Sequence, residues 1–249
     1  MITTPPPPSA KPGEGQLRLD SALAATDSEV FVVTPDGVLV ALDAGTGETR
    51  WQVGDALSAA HGGLARPVVV GDVVVVRTGD GHLRALAADT GVVRWTVGPF
   101  AANAVTQDPP GALLVAGNAA GGTVLRALEL SDGSQRWQRT FALADTFAAD
   151  LVYWRGVAVI RTEDGFRRGH RFVVSGISEQ GRTLWSVEAL RIWAGTRNGV
   201  LLKDEDIGLI DVDVHSGRTR WHGARGEPGD IIGEVGASQR VVVAFYAAD

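Results

Sequence analysis

The sequence predicts an all-β protein, and three observations support this fold class. Glycine and proline (32 and 11 residues) are interleaved with apolar segments, which indicates frequent turns rather than disorder. Outside the loops, no stretch of about ten or more residues shows a helical period. Short runs rich in Val or Leu recur between turn residues, as is typical of buried strands. These runs are Val30–Val33, Val73–Val76, Leu113–Val115, Val157–Ile160 and Val200–Leu202.

Composition excludes several classes of protein. The 249 residues carry a formal net charge of -6, which argues against a nucleic-acid partner because such binders usually show a basic surface. The absence of cysteine excludes disulfides, thiol catalysis and cysteine-bound metals. No apolar stretch approaches the roughly 20 residues of a membrane helix, so we expect no membrane insertion. Met1 leads directly into Pro5–Pro8 with no apolar signal-peptide core, and the compartment stays open, since the chain could belong to a longer exported protein.

Two segments differ in composition. Residues 1–15 contain four consecutive prolines followed by Lys11, Pro12 and a glycine-rich end, which predicts an extended linker or a disordered tail. Residues 16–249 contain all the apolar runs and are predicted to form one domain.

A tryptophan repeat organises this domain. Tryptophans recur at spacings of 44, 42, 48 and 36 residues, and a glycine stands four residues before each one. The pairs are Gly47 and Trp51, Gly91 and Trp95, Gly133 and Trp137, Gly181 and Trp185, and Gly217 and Trp221. Arg precedes the tryptophan directly in four of the five: Arg50, Arg94, Arg136 and Arg220.

Each period is long enough for four short antiparallel strands, which is the content of one β-propeller blade. In the second repeat the predicted strands are 66–71, 73–78, 82–87 and 92–97, with glycine in the last turn because it tolerates positive φ. A single blade cannot bury both faces, so we expect the large tryptophan to cover the joint with a neighbouring blade. Burial of one indole is worth about 2–4 kcal/mol.

The pattern Ala-x-Asp-x-x-x-Gly-x-x-x-Trp resembles the tryptophan-docking motif of quinoprotein alcohol dehydrogenases and other PQQ-like repeat propellers. Ala41, Asp43, Gly47 and Trp51 match it fully. The third and fifth repeats match with one substitution each, Glu129 and Asp211. The second repeat has Ala87 in the acidic place, and the fourth has Ser175 and Ile177, so both are degenerate. The resemblance covers residues 16–249 and implies a β-propeller.

The number of blades is left between two alternatives. Five tryptophan-ended blades account for residues 21–222, and 230–235 and 240–246 are predicted as the first two strands of an incomplete sixth. Residues 16–20 form a short alternating strand that could close the ring on that blade. The chain is therefore either a six-blade-like ring or an open partial propeller.

No motif identifies a reaction. The resemblance implies a PQQ-dependent dehydrogenase as one alternative, but such proteins are longer and tend to use neighbouring cysteines, Ca²⁺ and a catalytic Asp. The five histidines show no paired metal-ligand spacing, and no Gly-x-Ser-x-Gly occurs. We therefore predict no catalytic, metal-binding or cofactor-binding residues.

One basic segment stands out against the acidic background. The fourth repeat is the longest, and its extra length places Arg167, Arg168, His170 and Arg171 between its second and third strands. Long connections at 54–65, 98–110 and 141–149 are expected on the same face, and insertions collected on one face often mark a binding surface. The alternatives are a solvated loop or a site for an acidic protein partner or small anionic ligand. The expected function is a non-catalytic scaffold, similar to the outer-membrane assembly lipoprotein or to propellers appended to bacterial Ser/Thr kinases.

Overall fold

A computed structural model describes residues 23–34, 37–54, 67–99, 101–106, 111–119, 122–141, 148–164, 171–204, 208–222, 236–237 and 242–243. Within these ranges the regular structure is β-strand alone, with no helix. The strands are β1 (Leu23–Ala25), β2 (Glu29–Val33), β3 (Leu39–Asp43), β4 (Thr49–Val53), β5 (Val68–Val70), β6 (Val73–Arg77), β7 (Leu83–Ala87), β8 (Val93–Val97), β9 (Ala101–Thr106), β10 (Ala112–Ala119), β11 (Gly122–Glu129), β12 (Gln135–Phe141), β13 (Ala148–Trp154), β14 (Val157–Asp164), β15 (Arg171–Ser178), β16 (Thr183–Glu188), β17 (Arg191–Gly195), β18 (Gly199–Asp204), β19 (Gly208–Asp213), β20 (Thr219–His222), β21 (Gly236–Ala237) and β22 (Val242–Val243).

The first twenty of these described strands form five four-stranded antiparallel sheets, each a meander in chain order. Blade 1 is β1–β4, blade 2 is β5–β8, blade 3 is β9–β12, blade 4 is β13–β16 and blade 5 is β17–β20. The first strands of successive blades contact one another at β1 and β5, β9 and β13, and β13 and β17, so they lie innermost. This arrangement confirms the predicted all-β propeller built from four-stranded blades.

The continuous apolar runs are explained by burial on both faces of a blade. In β6, Val74 and Val76 pack against Phe31 and Leu39 of blade 1, while Val73 and Val75 pack against blade 3. Alternate side chains of a strand point to opposite faces, so a strand between two neighbours is apolar at every position. The outer strands differ, because in β8 only Trp95 is buried.

Four separate hydrophobic clusters result, one at each seam between successive blades. We call these seams 1–2, 2–3, 3–4 and 4–5. Because each cluster joins only two blades, the core is a chain of pairwise contacts, as in other repeat proteins.

Some boundaries differ from the sequence expectations. The predicted connection 98–110 is wrong, because β9 lies inside it and forms the innermost strand of blade 3. Beyond blade 5, β21 pairs with β22, and β22 lies within the predicted strand 240–246. The predicted strands 16–20 and 230–235 and the predicted linker 1–15 lie outside the described residues.

Candidate functional site at the blade seams

Three tryptophans donate their indole N–H across a seam to the next blade. Trp51 Nε1 lies 2.7 Å from the carbonyl oxygen of Ala88, and Trp95 Nε1 lies 2.8 Å from that of Leu130. Trp185 Nε1 lies 2.7 Å from the carbonyl of Val214. Each acceptor is the first residue of the turn between the third and fourth strands, which we call the outer hairpin. One indole therefore fills the seam and also fixes the position of the next outer hairpin.

The motif glycine receives the preceding blade's tryptophan. Gly91 has φ +70°, and a Cβ atom built there would lie 2.6 Å from Cε3 of Trp51. Both the backbone conformation and the closeness of the ring thus require glycine. The same contact joins Gly133 to Trp95, Gly181 to Trp137 and Gly217 to Trp185.

Among the residues the structure describes, the glycine of the first blade and the tryptophan of the last blade have no such partner. Gly47 has φ +73° but nothing within 4 Å of a Cβ position, and Trp221 of blade 5 is 37% exposed. The described arc therefore begins with a glycine that receives no tryptophan and ends with a tryptophan that is not covered.

The arginine before the tryptophan pairs with a carboxylate of its own blade. Arg50 contacts Asp43 at 2.6 Å and Glu29 at 3.1 Å, and Arg136 pairs with Glu129. In blade 2 the acidic place holds Ala87, and Arg94 instead reaches Asp72 at 2.5 Å.

These pairs lower the pKa values of the carboxylates. Arg50, helped by the backbone N–H groups of Thr46 and Gly45, lowers the pKa of Asp43 to about 2. Arg94 lowers the pKa of Asp72, and Arg136 lowers that of Glu129. All of these carboxylates stay charged near neutral pH, and each pairs with an arginine of the outer strand.

Blade 5 carries a buried version of the pair. Asp211 is 1% exposed and occupies the alanine place of the motif, opposite Trp221. Its carboxylate accepts hydrogen bonds from Thr196 Oγ1 and Arg220 Nη1, each at 2.8 Å. Because both oxygens are satisfied, this buried charge is tolerated.

The outer hairpin of blade 4 is one residue shorter than the others. In blade 1 the N–H of Asp43 bonds to the carbonyl of Glu48 and encloses residues 44–47, and blades 2, 3 and 5 repeat this spacing. In blade 4 the N–H of Ser178 bonds to the carbonyl of Arg182 and encloses only 179–181.

This deletion corrects the alignment of the fourth motif. The residue opposite the tryptophan is Ala41, Ala85, Ala127 or Asp211 in the other blades, and it is Gly176 in blade 4. The alanine and acidic places are therefore filled by Gly176 and Ser178, and the assignment to Ser175 and Ile177 was wrong. Ser178 Oγ accepts the N–H of Arg182 at 3.2 Å, as a turn-capping carboxylate would. Leu184 stands in the arginine place, so the arginine and its carboxylate are lost together.

A further tryptophan crosses seam 4–5 nearer the propeller axis. Trp154, at the end of the innermost strand β13, donates its N–H to the carbonyl of Thr196 at 2.8 Å and packs against Gly195 of β17. Arg155 donates to the carbonyl of Arg197 at 2.8 Å. Sequence reasoning missed Trp154 because it has no glycine four residues earlier, and no sequence motif marks its acceptor Thr196, 42 residues away.

The predicted basic surface is largely outside the described residues. Arg167, Arg168 and His170 fall in the stretch 165–170, between β14 and β15. Arg171 is the first residue of β15, with its backbone opposite Asp164. The proposal that these residues bind an anionic or acidic partner stays a prediction.

A cleft of about 280 Å³ opens at seam 3–4. Leu114, Ala127 and Ala158 line its apolar part, and Trp137 and Tyr153 line its sides. The shortened hairpin of blade 4, including Glu179, lies at its rim.

Within the described ranges, no group of three or more His, Asp or Glu residues is placed to hold a metal ion. No helix there has the length and apolar character needed to span a bilayer.

Comparisons with known proteins agree with this architecture. The sequence profile of the family described as "Outer membrane protein assembly factor BamB" matches residues 9–151. No curated protein matches the chain.

Solved structures show the same fold. BamB from Moraxella catarrhalis is 22% identical, with a TM-score of 0.60 over 82% of this chain and 60% of that chain. A europium-containing methanol dehydrogenase is 11% identical, with a TM-score of 0.61 over 82% of this chain and 50% of that one. The computationally designed Ika8 protein is 17% identical, with a TM-score of 0.66 over 90% of this chain and 67% of its own length.

This chain thus spans three-fifths of the M. catarrhalis BamB chain and half of the dehydrogenase. The family profile extends over more than half of the 249 residues, through blades 1 to 3 and into the first strand of blade 4. The chain belongs to the BamB family of PQQ-like repeat β-propellers.

Proposed function

We propose that this chain is a non-catalytic protein-binding scaffold, a module of a bacterial assembly or sensor. The observation that carries the proposal is the family match over residues 9–151, since the family is described as an outer membrane protein assembly factor. The partner is expected to be a protein of such an assembly.

The titratable groups of the blades support a scaffold over an enzyme. A general acid or base works best with a pKa near the operating pH, which for a carboxyl group requires an upward shift. In the described part of the chain, the pKa values of six carboxyl groups are lowered: those of Asp43, Asp72, Asp80, Glu129, Asp132 and Asp213. Their causes are the paired arginines and the turns, in which the hydroxyl of Thr78 lowers the pKa of Asp80 and that of Ser216 lowers the pKa of Asp213.

Photo-crosslinking tests the scaffold. A photoreactive amino acid is placed at exposed hairpin positions such as Gln180 and Asp89, and the full chain is crosslinked in the bacterium that encodes it. We expect one protein of an envelope or signalling assembly to crosslink reproducibly from a subset of positions. Crosslinks to unrelated proteins in proportion to their abundance would refute the proposed scaffold function.

A dehydrogenase is the second candidate, because solved quinoprotein dehydrogenases share this fold. Adding PQQ and Ca²⁺ to the purified chain tests it. A bound-quinone absorption band together with dye reduction by an alcohol would favour the enzyme. The scaffold predicts neither signal.

The basic segment is proposed as part of the partner-binding surface. Replacing Arg167, Arg168 and Arg171 together by Ala should weaken partner binding and its salt dependence, because exposed charge pairs are screened by salt. Arg218→Ala, at an exposed arginine in the outer hairpin of blade 5, is the control. Equal binding by the triple variant and the wild type would remove the segment from the interface.

A further inference from the structure

Seam 3–4 differs from the three other seams in one hydrogen bond. At seams 1–2, 2–3 and 4–5 the indole N–H bonds to the carbonyl of the first outer-hairpin residue. The equivalent residue at seam 3–4 is Glu179. Among the described residues, the N–H of Trp137 has no hydrogen-bond acceptor, although its ring still packs on Gly181.

The shortened hairpin explains this difference. In blades 1, 2, 3 and 5 the N–H of the first hairpin residue bonds to a carbonyl in the turn between the blade's first two strands. These bonds join Ala44 to Ser28, Ala88 to Asp72, Leu130 to Gly111, and Val214 to Asn198. Within the described part of blade 4, Glu179 makes no such backbone bond, and its side chain instead accepts the hydroxyl of Tyr153 at 2.8 Å. The deletion thus removes both the anchor of the hairpin and the acceptor for the indole.

The cleft lies where the missing contact would be. Its volume of about 280 Å³ is just below the range of ligand pockets, about 300 to 1,000 Å³. Leu114, Ala127 and Ala158 give it an apolar floor. It therefore suits a single anchoring side chain better than a cofactor.

A carboxylate at the rim of the cleft favours a ligand with a basic residue next to its anchoring side chain. Arg136 is engaged by Glu129 and by the carbonyl of Gly111 at 3.1 Å. Glu179 adds a second carboxylate close enough to raise the pKa of Arg136 further, after the larger effect of Glu129. Because Arg136 is already paired with Glu129, Glu179 is the carboxylate that the described lining of the cleft offers to a basic residue.

We propose that the cleft at seam 3–4 binds an extended peptide segment of the partner protein. One apolar side chain enters the cleft, a backbone carbonyl of the peptide accepts the N–H of Trp137, and an adjacent Lys or Arg pairs with Glu179. The peptide replaces the hairpin carbonyl that the other seams supply from within the chain. This inference rests on the proposed scaffold function and assigns its binding site.

Peptide selection followed by two matched variants tests the site. A display library of random seven-residue peptides is selected on the full chain and counter-selected on Ala158→Phe, in which the added ring fills the cleft. We expect the retained peptides to share an apolar residue next to Lys or Arg. If every selected peptide binds Ala158→Phe as well as it binds the wild type, or if no peptide is selected, the proposal is overturned and the cleft is a solvent-filled gap.

Trp137→Phe and Trp95→Phe separate binding from stability. Trp137→Phe should weaken the selected peptide about tenfold, the loss expected for one hydrogen bond, with little change in melting temperature. Trp95→Phe breaks the bond to Leu130, so it should lower the melting temperature and leave peptide affinity unchanged. Glu179→Gln should weaken only peptides that carry the basic residue. Unchanged affinity in Trp137→Phe overturns the proposal.

An NMR titration of the wild-type chain gives an independent readout. With ¹⁵N-labelled tryptophan, the indole signal of Trp137 is identified by its loss in Trp137→Phe. The selected peptide should shift this signal and leave that of Trp95 in place; the reverse pattern overturns the proposal. If crosslinking finds a partner whose binding survives Ala158→Phe, this site is wrong and the scaffold function still stands.

Discussion

Adding one methyl group at the motif glycine measures how strongly a docked tryptophan stabilises its seam. At seam 2–3 the substitution is Gly133→Ala, where a Cβ atom would lie 2.9 Å from Cδ2 and Cε3 of Trp95. Gly47→Ala in blade 1 is the matched control, because it has the same motif position and nearly the same φ, +73° against +74°, and no atom of the described residues lies within 4 Å of its Cβ position. The two variants therefore differ in the presence of packed side chains, the indole of Trp95 and also Val97, whose Cγ1 would lie 2.9 Å from the added Cβ atom.

The backbone contribution is common to both variants. An alanine in the left-handed region costs about 1–2 kcal/mol. Gly133→Ala also overpacks a seam in which Trp95 is 6% exposed and held by its bond to Leu130, so the ring cannot move away freely. Overpacking of this kind costs about 1–3 kcal/mol, which is the expected difference between the two variants.

Differential scanning calorimetry is the appropriate assay. For a chain of this size, 1 kcal/mol corresponds to about 2–4 °C, so Gly133→Ala should melt roughly 2–12 °C below Gly47→Ala. The traces are compared transition by transition, because repeat proteins can unfold in parts. Equal melting temperatures for the two variants would refute the idea that the indole, rather than φ, requires glycine at this position.

Three further predictions concern the arginine–carboxylate pairs and Trp154, the additional tryptophan at seam 4–5. Arg220→Ala leaves the buried carboxylate of Asp211 with Thr196 as its remaining partner, and it should lower the free energy of unfolding, measured in urea, by about 2–4 kcal/mol. Arg94→Ala should lower it less, because the side chain of its partner Asp72 is 75% exposed. The opposite order of the two losses would contradict this reasoning. Arg50 holds the pKa of Asp43 in the folded state at about 2, below its ordinary value of 3.8, so the stability that this ion pair contributes is present above pH 3.8 and is lost as the pH falls through 2. The difference in stability between the wild type and Asp43→Asn should therefore shrink between these two pH values. A difference that grows on acidification would count against the pairing. Trp154→Phe removes the bond to Thr196 while keeping most of the ring, and urea unfolding should show a loss of about 0.5–1.5 kcal/mol; no loss would mean that this hydrogen bond is not formed in solution.

The repeat architecture could be predicted from the sequence because its signals are local. The turn glycines and the apolar runs of the strands lie within about 40 residues of one another, and blade 2 has its four strands near the predicted positions. The unbroken apolar run of β6 reports burial on both faces, which requires a blade on each side. A local pattern repeated five times is therefore sufficient to specify a propeller.

The candidate cleft could not be predicted in the same way. The fourth repeat keeps its glycine four residues before Trp185, so the deletion in its hairpin is hidden when repeats are aligned on these two residues. The strand pairing of Gly176 with Trp185 shows where the residue is missing. Trp154 was likewise invisible to the motif, since no glycine stands four residues before it.

The sequence by itself determined the fold class, the blade repeat and the residues available to join one blade to the next. Only the tertiary structure decided which indole N–H receives an acceptor, where the arginines find their carboxylates, and that Trp137 borders a cleft. The physical reason is that hydrophobic burial follows from periodicity, which is written along the chain. A hydrogen bond depends on a few tenths of an ångström between atoms of different blades, and one residue more or less in a hairpin changes that distance.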